Sequence, residues 1–465
     1  MLFNSFSYAV FFPVVCIGFF LLDHRWRWSW LLFASCFFYM YFKPVYMLIL
    51  AFTIIVDYVS ALLIERASTR STKKAWLVAS IVANVGVLAI FKYYTFLNDN
   101  LSSLFGFGNN ENLFPALEIL LPVGLSFHTF QAMSYTIEVY RGNQRAEKHF
   151  GIYSLYVMFF PQLVAGPIER PSELLPQFRM KFNFDYDRIS QGLNRMLWGF
   201  FKKMVIADRL AIYVDSVYGS PESYAGWPLI WATIFFSIQI YCDFSGYCDI
   251  AIGTAKVLGF RLRENFNFPY LSFSIREFWS RWHMSLSTWF RDYLYFPMGG
   301  SQKGNLNWIL AILTVFAISG LWHGAAWTFV VWGLIHAVLY LTEQSIGFKV
   351  RTIWRLPLVF TLVTFSWIFF RAESWGDAMH IVKNILPGGG LIGVPNISVQ
   401  SFMINIGLII FLMSDEAIRR FSSYGSANLI LPVPRLRRYA QNALLASAVA
   451  LAGIFEKQSF IYFQF

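Results

Sequence analysis

Charge is what this chain has least of. Only 14% of its 465 residues are Asp, Glu, Lys or Arg, against roughly 25% in soluble domains. A soluble surface needs about 25–35% charged residues, so this chain could not cover itself in water. Cysteine is as sparse: Cys16, Cys36, Cys242 and Cys248 are the full set. They lie in or beside apolar runs, where cysteine packs as a small hydrophobe. The spacing of Cys242 and Cys248 fits no common zinc pattern, so neither a metal site nor a disulfide scaffold is expected. Several chemical signatures are also missing. There is no G-x-x-x-x-G-K-[ST] loop, no H-E-x-x-H and no G-x-S-x-G elbow. Gly388, Gly390 and Gly393 match G-x-G-x-x-G, but they follow Pro387 in a loop and not a strand, so no dinucleotide site is expected. No internal repeat of the transporter kind occurs, and no basic soluble face that would suit nucleic acid.

What fills the chain is apolar. Hydrophobic residues make up 57% and aromatics 20%, and mean hydropathy is +0.50. No charged side chain occurs in Met1–Leu22, Ala75–Phe91, Ser223–Cys242, Asn384–Ser414 or Tyr439–Phe455. The longest such run, Gly304 to Thr342, holds two crossings at about 20 residues each. Shorter apolar stretches at 29–42, 44–64, 118–137, 189–213 and 356–370 complete a set of about 11 or 12 spans. The runs are continuous, not alternating, which excludes an outer-membrane barrel. The expected fold is an all-α polytopic membrane protein, one integral domain over 1–465. Segments 150–165 and 271–298 are too interrupted to be plain crossings and read as re-entrant or interfacial helices. No Lys or Arg precedes the first span and no A-x-A-like site follows it, so it is expected to remain as an anchor.

Loop charges orient the chain. Basic residues crowd 65–74, 141–149 and 419–438, whereas 98–117, 215–227 and 388–400 hold no Lys or Arg. The positive-inside rule puts the first group in the cytoplasm and both termini outside. The formal net charge of +11 then belongs to loops near anionic lipid.

Polar groups retained in such a chain are functional candidates, because each ionised side chain costs roughly 2.5–3.5 kcal/mol on insertion scales. Three clusters stand out. His323 lies in the longest charge-free run, bracketed by Gly320 and Gly324 and flanked by Trp322 and Trp327. It reads as a hydrogen-bonded packing residue or as a neutral imidazole able to act as a base. A turn is expected at the Gly320 and Gly324 pair. The second cluster is 271–298. Read as one amphipathic helix, it places Arg281, Ser285, Thr288 and Asp292 on one face, with His283 at the boundary. Such a helix either anchors at an interface or walls a polar cavity. In the third, Asp243 and Asp249 end a long apolar span and need cationic partners, for which Arg261, Arg263, Arg276 and Arg281 are candidates.

These clusters, with Leu121-Pro-Val-Gly-Leu-Ser-Phe-His-Thr-Phe130, Leu163-Val-Ala-Gly-Pro-Ile-Glu-Arg170, Gly199-Phe-Phe-Lys-Lys-Met-Val-Ile-Ala-Asp208, Asp243-Phe-Ser-Gly-Tyr247, Glu264-Asn-Phe-Asn-Phe-Pro-Tyr270, Glu277 to Gly300, Gly320-Leu-Trp-His-Gly324, Trp367-Ile-Phe-Phe-Arg-Ala-Glu373 and Phe460-Ile-Tyr-Phe-Gln-Phe465, resemble the membrane-bound O-acyltransferase family. Within it they look like the branch that acetylates bacterial exopolysaccharides. His128 departs from that branch, which has Tyr there. The resemblance covers nearly the whole chain, with a family core over 118–375. It implies a helical ring around a central tunnel. It also implies an O-acetyltransferase that takes acetyl from cytoplasmic acetyl-CoA, a substrate and not a tightly bound cofactor. The acetyl would cross the inner membrane for O-acetylation of a secreted, alginate- or cellulose-like polysaccharide. A periplasmic acetyl-accepting partner of the secretion complex is implied as well. His323 and His283 would be the catalytic pair. Trp322, Gly324, Asp243, Tyr247, Asn265 and Asp292 would line or support the tunnel, and Arg276, Arg281 and Arg291 would meet the donor. Two alternatives remain open: a relative with another donor or acceptor (D-alanyl to teichoic acid, peptidoglycan, lipid or protein), or a polysaccharide transporter without chemistry.

Overall fold

The computed structural model describes residues 1–106, 113–115, 122–347, 352–386, 397–422, 435–455 and 460–461. Gly388, Gly390 and Gly393 lie outside these residues, as do residues 423–434 within the basic stretch 419–438. Among the described residues every regular element is a helix. That is the outcome a chain in lipid requires, since only a helix satisfies its own backbone polar groups. Among the described residues, six helices are long and apolar enough to cross a membrane: Tyr46–Arg66, Arg70–Phe91, Trp227–Leu258, Asn305–His323, Trp327–Ile346 and Val399–Phe421. Other expected spans fall on shorter helices, including Phe6–Leu21, His24–Met40, Leu125–Arg141 and Arg355–Arg371. Exposed side chains on these helices are largely apolar, among them Leu48, Val82, Leu306 and Ile410, the surface a lipid solvent accepts.

The chain packs as two compact units. Met1–Leu193 and Ala251–Arg263 form one; Asn194–Ile250 and Glu264–Phe465 form the other. In the first, the ends of helices are set by local chemistry. The Thr69 side chain accepts from the Thr72 amide and starts Arg70–Phe91. Gly142, at φ 80°, ends Leu125–Arg141. Asp57 is fully buried between the helices and is hydrogen-bonded throughout: Ser80 Oγ donates to it at 2.6 Å and Asn84 Nδ2 at 2.8 Å. A buried carboxyl with donors on every side joins the helices at a tolerable cost.

The second unit holds the hairpin expected in the Gly304–Thr342 run. Asn305–His323 and Trp327–Ile346 turn about Gly324, which is extended at φ −152° and ψ 144°. The two backbones touch. A Cβ on Gly320 would lie 2.1 Å from the Phe329 carbonyl oxygen, and one on Gly333 2.1 Å from that of Phe316. Small residues at a crossing are how helices approach closely in lipid. Against the hairpin packs Arg355–Arg371, through Trp332 stacked on Trp367 at 5.4 Å.

One sequence expectation is corrected here. Residues 271–298 are not a single amphipathic helix. Ile275–Trp279 ends at Ser280, and Met284–Phe290 starts anew after His283, with a wider π-type turn over Arg291–Tyr295. The break separates Arg281 from the face carrying Ser285 and Thr288. Its cause is the backbone of His283, at φ 43° and ψ 54°, a left-handed conformation that no helix interior contains.

Candidate active site

Both histidines are buried in the second unit, His323 with 3% of its surface exposed and His283 with none. Their ring centroids lie 6.5 Å apart. His323 is the last residue of its helix, so its side chain sits where the hairpin turns. Trp322 at 4.9 Å, Trp332 at 5.2 Å and Phe370 at 5.4 Å box its ring. His283 stands between Phe244 at 4.7 Å and Trp322 at 6.2 Å. Burial holds its imidazolium form down, well below the ordinary histidine range. A buried imidazole that stays neutral, walled by aromatic rings, can accept a proton in a site of low dielectric.

Asn265 fixes His283. Its Oδ1 faces His283 Nδ1 at 3.2 Å, and its main-chain carbonyl accepts from the Met284 amide at 2.9 Å. The segment carrying Asn265 is itself held by charge. Arg195 binds Glu264 with two hydrogen bonds, 2.6 and 2.5 Å, and reaches Asp249 at 2.9 Å. Lys202 completes that cluster, 2.5 Å from Asp249 and 2.8 Å from Ser245 Oγ. The neighbouring Lys203 bridges Asp208 and Asp243, both at 2.7 Å.

These pairings correct the expected ones. Asp243 and Asp249 take Lys203, Lys202 and Arg195, and not Arg261, Arg263, Arg276 or Arg281. Both lysines lie in a π-type turn over Phe201–Ala207, packed closely against the Trp227–Leu258 helix that carries the two carboxylates. Gly199 makes the approach possible: a Cβ there would lie 2.6 Å from the Gly246 carbonyl oxygen. Lys202 and Lys203 had no assigned role from sequence. Their signal was two charges in the middle of the apolar stretch 189–213.

The remaining candidates are placed as follows. Gly324 forms the hairpin turn beside His323. Tyr247 joins the site through aromatic rings, 4.8 Å from Phe460, which lies 5.9 Å from Phe244. Asp243 also accepts the Ile461 amide at 2.7 Å, which seats the 460–461 segment beside the site. Arg281 binds Glu277 at 3.1 Å and the Asn267 carbonyl at 2.9 Å, and so braces the turn before His283. Arg276 is exposed. Arg291 and Asp292 pair with each other at 2.9 Å in a more exposed position. His336, by contrast, is a packing residue. Trp279 Nε1 donates to its Nδ1 at 3.3 Å, so its Nε2 donates to Ser366 Oγ at 2.8 Å, and both nitrogens are used.

Comparison with known proteins shows the family. The sequence profile of the membrane-bound O-acyltransferase family matches residues 143–369. The peptidoglycan O-acetyltransferase of Helicobacter pylori is 32% identical, over 92% of this chain and 86% of its own length. A probable alginate O-acetylase of Pseudomonas aeruginosa is 37% identical, over 84% of this chain and 75% of its own length. The teichoic acid D-alanyltransferase of Bacillus subtilis is more distant, 28% identical over 48% of this chain and 59% of its own. Six membrane-length helices, a buried histidine pair at a helix hairpin and relatives alignable over most of the chain lead to one assignment: this protein belongs to the membrane-bound O-acyltransferase family, as a multi-pass membrane acyltransferase.

Proposed function

We propose that this chain moves an acetyl group from acetyl-CoA on the cytoplasmic side of a bacterial inner membrane toward an acceptor on the other side, for O-acetylation of a secreted or wall polysaccharide. The observation that carries the reading is the buried pair, His283 and His323, 6.5 Å apart at the turn of the hairpin. That position suits a thioester carbonyl reached from one side and a hydroxyl reached from the other, through a tunnel. His323 takes the proton of the acceptor hydroxyl as its oxygen bonds to the acetyl carbon. The carbon–sulfur bond then breaks, and the thiolate of CoA recovers the proton. His283 lines the donor side of the same cavity. Arg276, Arg281 and Arg291 supply positive charge on the basic side, where donor phosphates would arrive.

A polysaccharide acceptor is supported by two relatives alignable over most of this chain, whose names specify peptidoglycan and alginate. A periplasmic protein partner is the expected receiver of the acetyl group. The teichoic acid relative supports a second reading, transfer of another acyl group such as D-alanyl. Inverted membrane vesicles carrying the full chain separate them. Acetyl-CoA added outside should release free CoA thiol and leave ester-linked acetate with an acceptor polysaccharide in the lumen. No thiol release with alginate, cellulose or peptidoglycan fragments present would reject acetyl-CoA as donor.

A further inference from the structure

We infer that Asn265 is a positioning residue that locks His283 in the Nδ1–H tautomer, which makes Nε2 the basic nitrogen offered to the reaction. The inference deepens the acyl-transfer reading and rests on it. It begins with a donor that has no choice. The Ser285 backbone N–H points at Asn265 Oδ1 at 3.1 Å, and a backbone amide can only donate. The Asn265 atom there is therefore the oxygen, which removes the usual ambiguity of an amide side chain. The other end agrees, because the Asn265 amide nitrogen donates to Cys248 Sγ at 3.3 Å. The same oxygen meets His283 Nδ1 at 3.2 Å. An oxygen that only accepts requires a proton on Nδ1, and in a neutral ring the lone pair is then on Nε2.

The backbone is set by the same residue. His283 is one of two non-glycine residues with positive φ among those described, a conformation that costs roughly 1–3 kcal/mol. Asn265 stabilises it from three directions: its side chain to His283 Nδ1, the same oxygen to Ser285, with Ser285 Oγ donating at 2.8 Å, and its carbonyl to the Met284 amide at 2.9 Å. Strain held in place at a catalytic position is orientation prepared in advance. His336, with Trp279 donating to its Nδ1, has the opposite tautomer and a structural place. His323 on the hairpin and Cys248 behind Asn265 are titratable groups that face the His283 cluster.

Two variants separate orientation from packing. Asn265→Asp keeps an acceptor toward both Ser285 and Nδ1 and adds a negative charge. It should retain kcat within about tenfold, and the acid limb of its pH–rate profile should move to higher pH, because the carboxylate favours imidazolium. Asn265→Leu, of similar volume, cannot accept. Its kcat should fall by about 10²–10³-fold with KM for acetyl-CoA little changed. Both are assayed as thiol release from acetyl-CoA by the full chain in vesicles, with thermal unfolding as the folding control and His323→Ala alongside. An Asn265→Leu variant with wild-type kcat would overturn the inference. So would an Asn265→Asp variant that folds but is as inactive as Leu, or whose acid limb does not move. If His323→Ala also keeps full activity, it is the acyl-transfer reading that fails.

Discussion

Replacing Gly320 with Ala tests the hairpin as the device that places His323. The added Cβ would sit 2.1 Å from the Phe329 carbonyl oxygen and 3.2 Å from the Val330 Cα. Both are backbone atoms, so no rotamer change relieves the overlap, and the helices must separate by about an ångström to restore ordinary contact. Overpacking of this kind costs typically 1–3 kcal/mol. Against it stands the gain of Ala over Gly in a helix, near 1 kcal/mol, so net destabilisation of about 0–2 kcal/mol is expected. The functional loss should be larger. His323 is three residues further on, and displacement of a catalytic group by about 1 Å can cost 10²-fold. Gly407→Ala is the control, since nothing lies within 4 Å of a Cβ there. Thermal unfolding in detergent and thiol release from acetyl-CoA, measured on both variants, give the two magnitudes. Gly320→Ala with wild-type turnover would refute the idea that the glycine contact sets the position of His323.

Lys203→Met leaves Asp208 and Asp243 buried without their cation, at a cost of about 3–5 kcal/mol. Unfolding temperature should fall sharply, and adding Asp243→Asn should restore part of it; no recovery would show the pair is not coupled. Phe460→Ala removes a ring that is 98% buried against Phe244 and Tyr247, a change that costs about 3–5 kcal/mol in a tight core. Activity should drop more than expression does, and equal losses would make the 460–461 segment purely structural.

Much of this was legible in the sequence because lipid imposes simple rules. Charge-free runs gave the long helices, and His323 with its glycines marked the hairpin turn before any coordinates. The break at 280–283 was not legible, because its cause is distant. His283 has a left-handed backbone and is hydrogen-bonded to Asn265, 18 positions earlier, while the local pattern still reads as a continuous helix. The partners of Asp243 and Asp249 were missed for a similar reason. Lys202 and Lys203 pair with carboxylates about 40 positions later, and local periodicity cannot reveal a tertiary contact of that kind. Proximity in sequence favours the nearby arginines, whereas Arg281 is occupied by Glu277 and the Asn267 carbonyl. His283 stands out in the 271–298 cluster by residue type, whereas the role expected of it comes from the resemblance.

The central claim is that His323 is the base for acetyl transfer from acetyl-CoA. Vesicles bearing the wild-type chain or His323→Ala, matched for folded protein, are given radiolabelled acetyl-CoA outside and an acceptor polysaccharide within. The account predicts ester-linked label in the lumen for the wild type and a loss of at least about 10²-fold for the variant. Undiminished transfer by His323→Ala would contradict it.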